Sequence, residues 1–177
     1  MGGVTNTLKR IFGMRKEMSF SFYVRDFVFR KLLRNNAKCT WAIHHTTTIH
    51  SPERIVRGKN AYPGDSAGMY INARNGIIIG DYTNIAPNVG LISANHDFID
   101  NDRHHPGPPI ELGKFCWIAM GAIILPGVKL GDFTTVGAGA IVTKSFPEGY
   151  CVLVGNPARV MKYLNKEECD AFAKTKE

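Results

Sequence analysis

Every sixth residue of this chain is aliphatic or small over most of its length, and that period restricts the fold more than any other feature. Ile43, Ile49, Ile55, Ala61, Ala67, Ala73, Ile79, Ile85 and Leu91 share one phase, and Leu112, Ile118, Ile124, Leu130, Val136 and Val142 share a second. Neither the 3.6-residue period of a helix nor a sustained alternation of two accounts for this spacing. Four residues after the second-phase positions stand Cys116, Ala122, Val128, Thr134, Ala140 and Phe146, while Gly80, Ala86, Gly113, Ala119, Gly131 and Gly137 directly follow an aliphatic residue. A period of six describes a chain wound round a triangular prism. Each side is a short strand with one aliphatic side chain pointing inward, and a small residue stands where the chain turns. Three sides make a coil of about 18 residues, and successive coils pair as parallel strands about 4.8 Å apart. The expected fold class is an all-β solenoid, a parallel β-helix of hexapeptide repeats.

The register marks the loops. Leu91 and Leu112 are 21 residues apart, three hexads with three residues over, so the phase breaks within 93–110. Asp97, Asp100, Asn101, Asp102, Pro106, Gly107, Pro108 and Pro109 make that stretch a protruding polar loop. Loops longer than about 12–15 residues in a compact domain tend to carry function. The repeat ends at Pro147-Glu148-Gly149, and a strand-like piece over 150–154 leads through Gly155-Asn156-Pro157 to an expected helix over roughly 158–174 that caps the open coil edge. The expected organisation is an N-terminal arm over 1–38, a β-helix over 39–157 and a C-terminal helix over 158–177.

Of the 177 residues 44% are hydrophobic, enough for one sizeable core and too much for a disordered chain. No apolar run approaches the roughly 18 residues of a membrane-spanning helix. Arg15, Lys16, Glu17, Arg25 and Asp26 interrupt any leader-like stretch near the N-terminus. Cys39, Cys116, Cys151 and Cys169 are far apart with no CxxC, which argues against metal fingers and a disulfide framework and fits a reducing cytosol. The net charge of +7 sits in residues 1–38, which hold nine basic and two acidic residues, so the body is neutral. Within this arm, residues 20–34 read as a basic amphipathic helix, with Phe20, Val24, Phe27, Val28 and Leu32 on one face and Arg25, Arg30, Lys31 and Arg34 elsewhere. Such a helix packs on the prism or between subunits, or lies on a membrane that carries a lipid-linked substrate. No ordered nucleic-acid motif accompanies it, so nucleic acid is not an expected partner. The expected location is cytoplasmic, with peripheral contact to the inner face of the membrane through the arm left open.

Ile79-Gly80-Asp81-Tyr82-Thr83-Asn84-Ile85-Ala86-Pro87-Asn88-Val89, followed by Ile92-Ser93-Ala94-Asn95-His96-Asp97, resembles the hexapeptide-repeat acetyltransferases. So do Trp117-Ile118-Ala119, Ile124-Leu125-Pro126-Gly127-Val128, Val136-Gly137-Ala138-Gly139-Ala140-Ile141-Val142-Thr143-Lys144 and Gly155-Asn156-Pro157-Ala158-Arg159-Val160. Their order and spacing are similar to the maltose and galactoside O-acetyltransferase branch over residues 68–164. The N-terminal third looks more like the acetyltransferases of surface-polysaccharide gene clusters. The resemblance implies a left-handed parallel β-helix, a homotrimer, acetyl-CoA as donor with no metal, and a site in the groove between two subunits. His96 aligns with the family's catalytic histidine.

The chemistry suits that assignment. A thioester is already activated and a sugar hydroxyl is a weak nucleophile, so the missing element is a base that works near neutral pH, which an imidazole supplies. Trp117, Ala119, Ala138, Thr143, Lys144, Arg159 and Lys162 align with the coenzyme A groove, Lys162 standing where a second arginine is common. Ala119 replaces the usual glycine after Trp-Ile, and Met120 stands where a small or hydroxyl residue is usual; both would reshape that groove. Tyr70 and Asn72 resemble a Tyr-x-Asn stretch of the family whose asparagine binds sugar hydroxyls, and with Asp97 they are the expected acceptor-side residues. His104 and His105 lie in the loop within reach of either substrate, whereas His44, His45 and His50 read as structural or surface residues. The expected function is an acetyl-CoA-dependent O-acetyltransferase acting on a sugar hydroxyl in surface-polysaccharide biosynthesis. The alternatives are an N-acetyltransferase on an amino sugar, an antibiotic O-acetyltransferase, a non-enzymatic scaffold, and a metal-dependent protein like the gamma-class carbonic anhydrases.

Overall fold

The computed structural model describes Arg15 and residues 17–176. Three of the arm's nine basic residues, Lys9, Arg10 and Lys16, lie outside the described residues. Fourteen strands of two to five residues follow one another, each cut short by a corner: β1 (Thr48–His50), β2 (Ile55–Arg57), β3 (Tyr70–Asn72), β4 (Ile77–Ile79), β5 (Asn84–Ile85), β6 (Gly90–Ile92), β7 (Ile110–Leu112), β8 (Trp117–Ile118), β9 (Ile123–Ile124), β10 (Lys129–Leu130), β11 (Thr134–Val136), β12 (Ile141–Val142), β13 (Cys151–Val154) and β14 (Arg159–Tyr163). They form three sheets: face I in the order β1-β3-β6-β9-β12, face II in the order β10-β7-β4-β2, and face III in the order β14-β13-β11-β8-β5. Every pair is parallel except β13 with β14. From β3 to β12 the chain visits faces I, II and III in rotation, the arrangement expected from a period of six.

The register shows what the period means. Ile49, Ile71, Leu91, Ile124 and Val142 stack in line on face I. Ile79, Leu112 and Leu130 do so on face II, and Ile85, Ile118, Val136 and Leu153 on face III. All twelve are buried. The later coils are 18 residues long, as Leu112 with Leu130 shows, but Ile49 pairs with Ile71 and Ile71 with Leu91, which makes the earlier coils 22 and 20 residues. The unbroken phase through Ile55, Ala61, Ala67 and Ala73 is therefore not the stacking register. Ile55 pairs with Ile77, and Ile71 rather than Ala73 is in line with the core. Likewise the three-residue break before Leu112 is the remainder of a larger insertion: Ile79 and Leu112, neighbours in register, are 33 residues apart, fifteen more than a regular coil.

The small residues at one corner have a different cause from the one the period suggests. A Cβ on Gly80 would lie 2.5 Å from the carbonyl carbon of Gly113, and one on Gly113 would lie 2.6 Å from the backbone nitrogen of Asp132. Neither glycine has a positive φ, so the approach of the next coil excludes a side chain here, not the turn conformation. The turn is made by aromatic residues. Tyr82, Phe115, Phe133 and Tyr150 hold φ values of 58°, 55°, 54° and 47°, a region that costs bulky residues about 1–3 kcal/mol each. Their rings stack in a ladder at 5.1, 4.8 and 5.6 Å between centroids, and aromatic pairs of this kind return about 0.5–1.5 kcal/mol each beyond burial.

Both ends depart from expectation. The expected helix over 158–174 is a strand first: β14 pairs antiparallel with β13, and helix α2 (Lys166–Lys174) starts only after Asn165, whose side chain accepts from the Glu168 N–H. The edge of face III is thus covered by a returning strand before the helix begins. Near the N-terminus, α1 (Phe20–Asp26) is capped by Ser19 and runs on as a wider π-helical segment, Phe27–Leu32. It is anchored by Phe22 and by buried Asp26, which holds Arg30 at 2.6 Å and accepts the Ile43 N–H at 3.0 Å. The side bearing Phe20, Val24, Phe27 and Leu32 faces outward, each of these residues 45–63% exposed.

Gly113→Ala should cost about 1–3 kcal/mol by overpacking. Gly107→Ala in the loop, where a Cβ meets only the end of the Asn75 side chain at 3.4 Å, should stay within about 0.5 kcal/mol. Urea unfolding of the two variants beside the wild type makes the comparison.

Candidate active site

The fifteen-residue insertion leaves the corner between faces I and II and folds on itself. Asp97 N–H donates to Arg103 O and His105 N–H to Asn95 O, both at 3.0 Å, which sets His96 opposite His104 in an antiparallel bridge. The turn is closed by Asp97, whose Oδ1 accepts the Ile99 and Asp100 N–H groups at 2.8 and 3.0 Å, while its Oδ2 lies 3.1 Å from His105 Nε2. Asn75 Nδ2 ties the returning strand to the coil below through His105 O at 2.9 Å. The loop is thus held by its own polar groups, without a core.

His96 sits at the base of this hairpin and is exposed. Its Nδ1 is 2.5 Å from Asn101 O. A carbonyl can only accept, so Nδ1 carries the proton and Nε2 presents a lone pair. The His104 ring packs on His96 with centroids 4.1 Å apart. Partial desolvation, then the positive charge of Arg74, pushes the His104 pKa down and favours its neutral form. Asn101, which sets the tautomer, acts through its backbone and leaves no trace in a residue pattern.

The residues aligned with the donor groove divide between two corners. Asn84, Trp117, Thr135, Val152 and Lys162 form one row across face III. Ala119, Ala138 and Arg159 lie at the end of that face, where it turns into face I. Gly139 N–H donates to Met120 O there at 2.9 Å, and nothing stands within 4 Å of a Cβ placed on Gly139. This corner is open and lined by small residues, which suits close approach of an extended thiol arm. Thr143 and Lys144 follow β12 at the corner between faces I and II, the side from which the hairpin projects. Face I, roughly 7–10 Å across for strands of two or three residues, separates His96 from the row on face III within one chain. Tyr70 and Asn72 lie on face I, in register with Gly90 and Ile92 of the strand that precedes the hairpin. Tyr70 packs edge-on against His50 at 5.5 Å, so His50 belongs to this surface too.

None of the cysteines is an activated nucleophile. Burial pushes Cys39 and Cys116 up to about 11 and raises Cys151 and Cys169 as well, and a thiol reacts as its thiolate. Among the described residues, no three His, Cys, Asp or Glu side chains are grouped to hold a metal.

A prism of parallel strands with a histidine-bearing hairpin on one corner and an open small-residue corner beyond the next face is the arrangement that the resemblance to the hexapeptide-repeat acetyltransferases implies. Residues 109–144 match the family described as bacterial transferase hexapeptide (six repeats). Nodulation protein L of Rhizobium leguminosarum bv. viciae is 54% identical over 87 residues, 48% of this chain and 45% of that protein; the chain spans about half the length of the curated relatives it matches. The crystal structure of a maltose O-acetyltransferase from Clostridium difficile 630 is 32% identical with a TM-score of 0.59, over 68% of this chain and 64% of the other. A galactoside acetyltransferase in complex with coenzyme A superposes over 92% of each chain with a TM-score of 0.65, and its 24% identity makes it a match of fold alone.

The hairpin should respond to acid. The N–H groups of Asp100 and Ile99 hold the Asp97 carboxyl below its ordinary value of 3.8, so its contribution to loop order is present above that value and lost as pH falls through the lowered one. In an NMR titration the Ile99 and Asp100 amide shifts should be constant at neutral pH and move below pH 3.8. Asp97→Asn, which keeps an acceptor oxygen but no titratable group, should abolish that movement.

Proposed function

We propose that the protein transfers the acetyl group of acetyl-CoA to a hydroxyl of a sugar, with His96 as general base. The observation that carries this reading is the Nδ1–H bond from His96 to Asn101 O, which leaves Nε2 free to accept a proton. His96 Nε2 takes the acceptor's O–H proton as the oxygen attacks the thioester carbonyl. The tetrahedral intermediate collapses, the C–S bond breaks, and the imidazolium returns its proton to the departing thiolate. Attack is direct, in keeping with four cysteines that lack thiolate character. Lys144, Arg159 and Lys162 neutralise the donor's phosphates, and Ala138 with its glycine neighbours admits the pantetheine arm. Tyr70 and Asn72 hold the sugar beside the base. Asp97 serves that site indirectly, since both of its oxygens are engaged in folding the hairpin.

We read the assembly as a homotrimer of left-handed β-helices, a handedness opposite to the general crossover preference and supported here by the family resemblance. The separation of His96 from the face III row within one chain supports a site shared between two subunits. The 32% identity to a maltose O-acetyltransferase supports a sugar acceptor, and the likeness of the N-terminal third to polysaccharide-cluster enzymes supports surface-polysaccharide biosynthesis. His96→Ala should lower acceptor-dependent release of coenzyme A thiol by about 10²–10⁴ with coenzyme A binding retained. Co-refolding His96→Ala with Ala138→Trp, each inactive alone, should restore part of the activity. Equal rates in wild type and His96→Ala would refute the base, and no restoration would refute the shared site.

The outward side of the N-terminal helix favours a peripheral station at the inner membrane face. Phe20, Val24, Phe27, Leu32 and Leu33 are 45–65% exposed, beside exposed Arg25, Lys31, Arg34 and Lys38. No helix among the described residues is long and apolar enough to cross a membrane. Sedimentation with phosphatidylglycerol vesicles, but not phosphatidylcholine vesicles, should carry the protein down at low salt, each basic residue near the surface adding about 1 kcal/mol. Replacing Phe20, Phe27 and Leu32 by serine should abolish it; unchanged sedimentation of that variant would refute the contact.

A further inference from the structure

His96 and His104 are eight residues apart in the sequence, and the hairpin makes them cross-strand partners. The bonds that join its two strands run from Asp97 N–H to Arg103 O and from His105 N–H to Asn95 O. The pair between them exchanges no backbone bond of its own, and that is the position in an antiparallel ladder where opposed side chains come closest. Successive side chains alternate between the two sides of such a ribbon. His96 and His104 therefore share one side, with ring centroids 4.1 Å apart and planes inclined at 42°. Asp97 and His105 pair on the other side at 3.1 Å.

The bond from His96 Nδ1–H to Asn101 O fixes one atom of the ring. The ring can still rock about the line from its Cβ to that oxygen, and the Nε2 lone pair, which lies in the ring plane, sweeps with it. Proton abstraction needs that lone pair aimed at the acceptor hydroxyl. A flat group packed on the ring removes the freedom, and His104 is such a group. Its own nitrogens make no hydrogen bond to any described residue, so what it offers His96 is ring surface. Charge points the same way. His96 becomes an imidazolium as it takes the proton; an uncharged ring accommodates that cation through its π face, where a second imidazolium would repel it. Partial desolvation, and then the charge of Arg74, disfavour a proton on His104. The strand that carries His104 is tied down by its neighbour, through Asp97 to the His105 ring and through Asn75 Nδ2 to His105 O at 2.9 Å.

We propose that His104 is a positioning residue for the base: its ring clamps the plane of His96 and so aims Nε2 in one direction. The proposal rests on the reading of His96 as general base, but its first test needs no turnover. In the full chain without donor or acceptor, ¹³C relaxation of the His96 ring C–H groups should report a ring as ordered as the hairpin backbone. His104→Phe, which keeps a flat ring and removes the nitrogens, should leave that order unchanged. His104→Ala should lower it, and so should His104→Leu, which fills the space without a flat face and stands in if the alanine variant loosens the hairpin. Ile99 and Asp100 amide shifts equal to wild type show the hairpin intact. With acetyl-CoA and maltose, His104→Ala should lower kcat by about tenfold to a hundredfold and leave the KM for acetyl-CoA unchanged. His104→Phe should stay within about threefold of wild type. A His96 ring equally ordered in wild type, His104→Ala and His104→Leu would overturn the proposal. So would a His104→Phe variant as slow as His104→Ala, since the nitrogens of His104 would then be what the reaction uses. Equal thiol release in wild type and His96→Ala, with the order pattern as expected, keeps the clamp and removes the general-base reading alone.

Discussion

One coil of this protein lies so close to the next that, at the corner between faces II and III, there is no room for a single carbon atom. Gly80 meets Gly113, and Gly113 meets Asp132, at distances that backbone atoms tolerate and a Cβ does not. Much else follows from that spacing. From β1 to β12 the strands are only two or three residues long, each places one aliphatic chain over the last, and polar groups inside find partners in the neighbouring coil. Thr83 Oγ1, for example, donates to Gly113 O at 2.7 Å. The aromatic ladder belongs to the same corner: four bulky residues take the left-handed conformation there and recover part of its cost by stacking.

A structure so constrained inside leaves its corners and outer faces free to vary, and the candidate site is assembled from those. The hairpin that bears His96 adds nothing to the core and is closed by Asp97, Asn75 and its own backbone. The row proposed as the donor wall consists of register-matched outward residues on face III with an open corner beside it. Nothing in the core needs to change for either to be remodelled.

The solenoid was legible in the sequence because its signal is local and repeated: each coil restates one inward aliphatic position per side. The irregular coils were not. A 22-residue coil and a 20-residue coil follow each other early on, and Ala61, Ala67 and Ala73 fall into phase by spacing without stacking in register. The C-terminal strand was hidden for a related reason. Arg159, Lys162 and Tyr163 look like one side of an amphipathic helix, and only pairing with β13 makes them a strand. His96 could be found from the motif around it, but Asn101 could not, since it contributes a carbonyl that any residue has. A groove of about 700 Å³ on face III was invisible as well, because it joins Arg15, Tyr62, Asn84, Trp117 and Phe172, which no local window contains.

The hairpin has a consequence for how such proteins diversify. A segment inserted into a coil must begin and end about one strand spacing apart, or the coil cannot close. Whatever satisfies that condition can be exchanged as a cassette, carrying a different base, a different lid or none, while the prism beneath remains the same. Reactivity and stability are then inherited through separate stretches of chain, so a lineage can lose its chemistry by altering a few exposed residues and still fold.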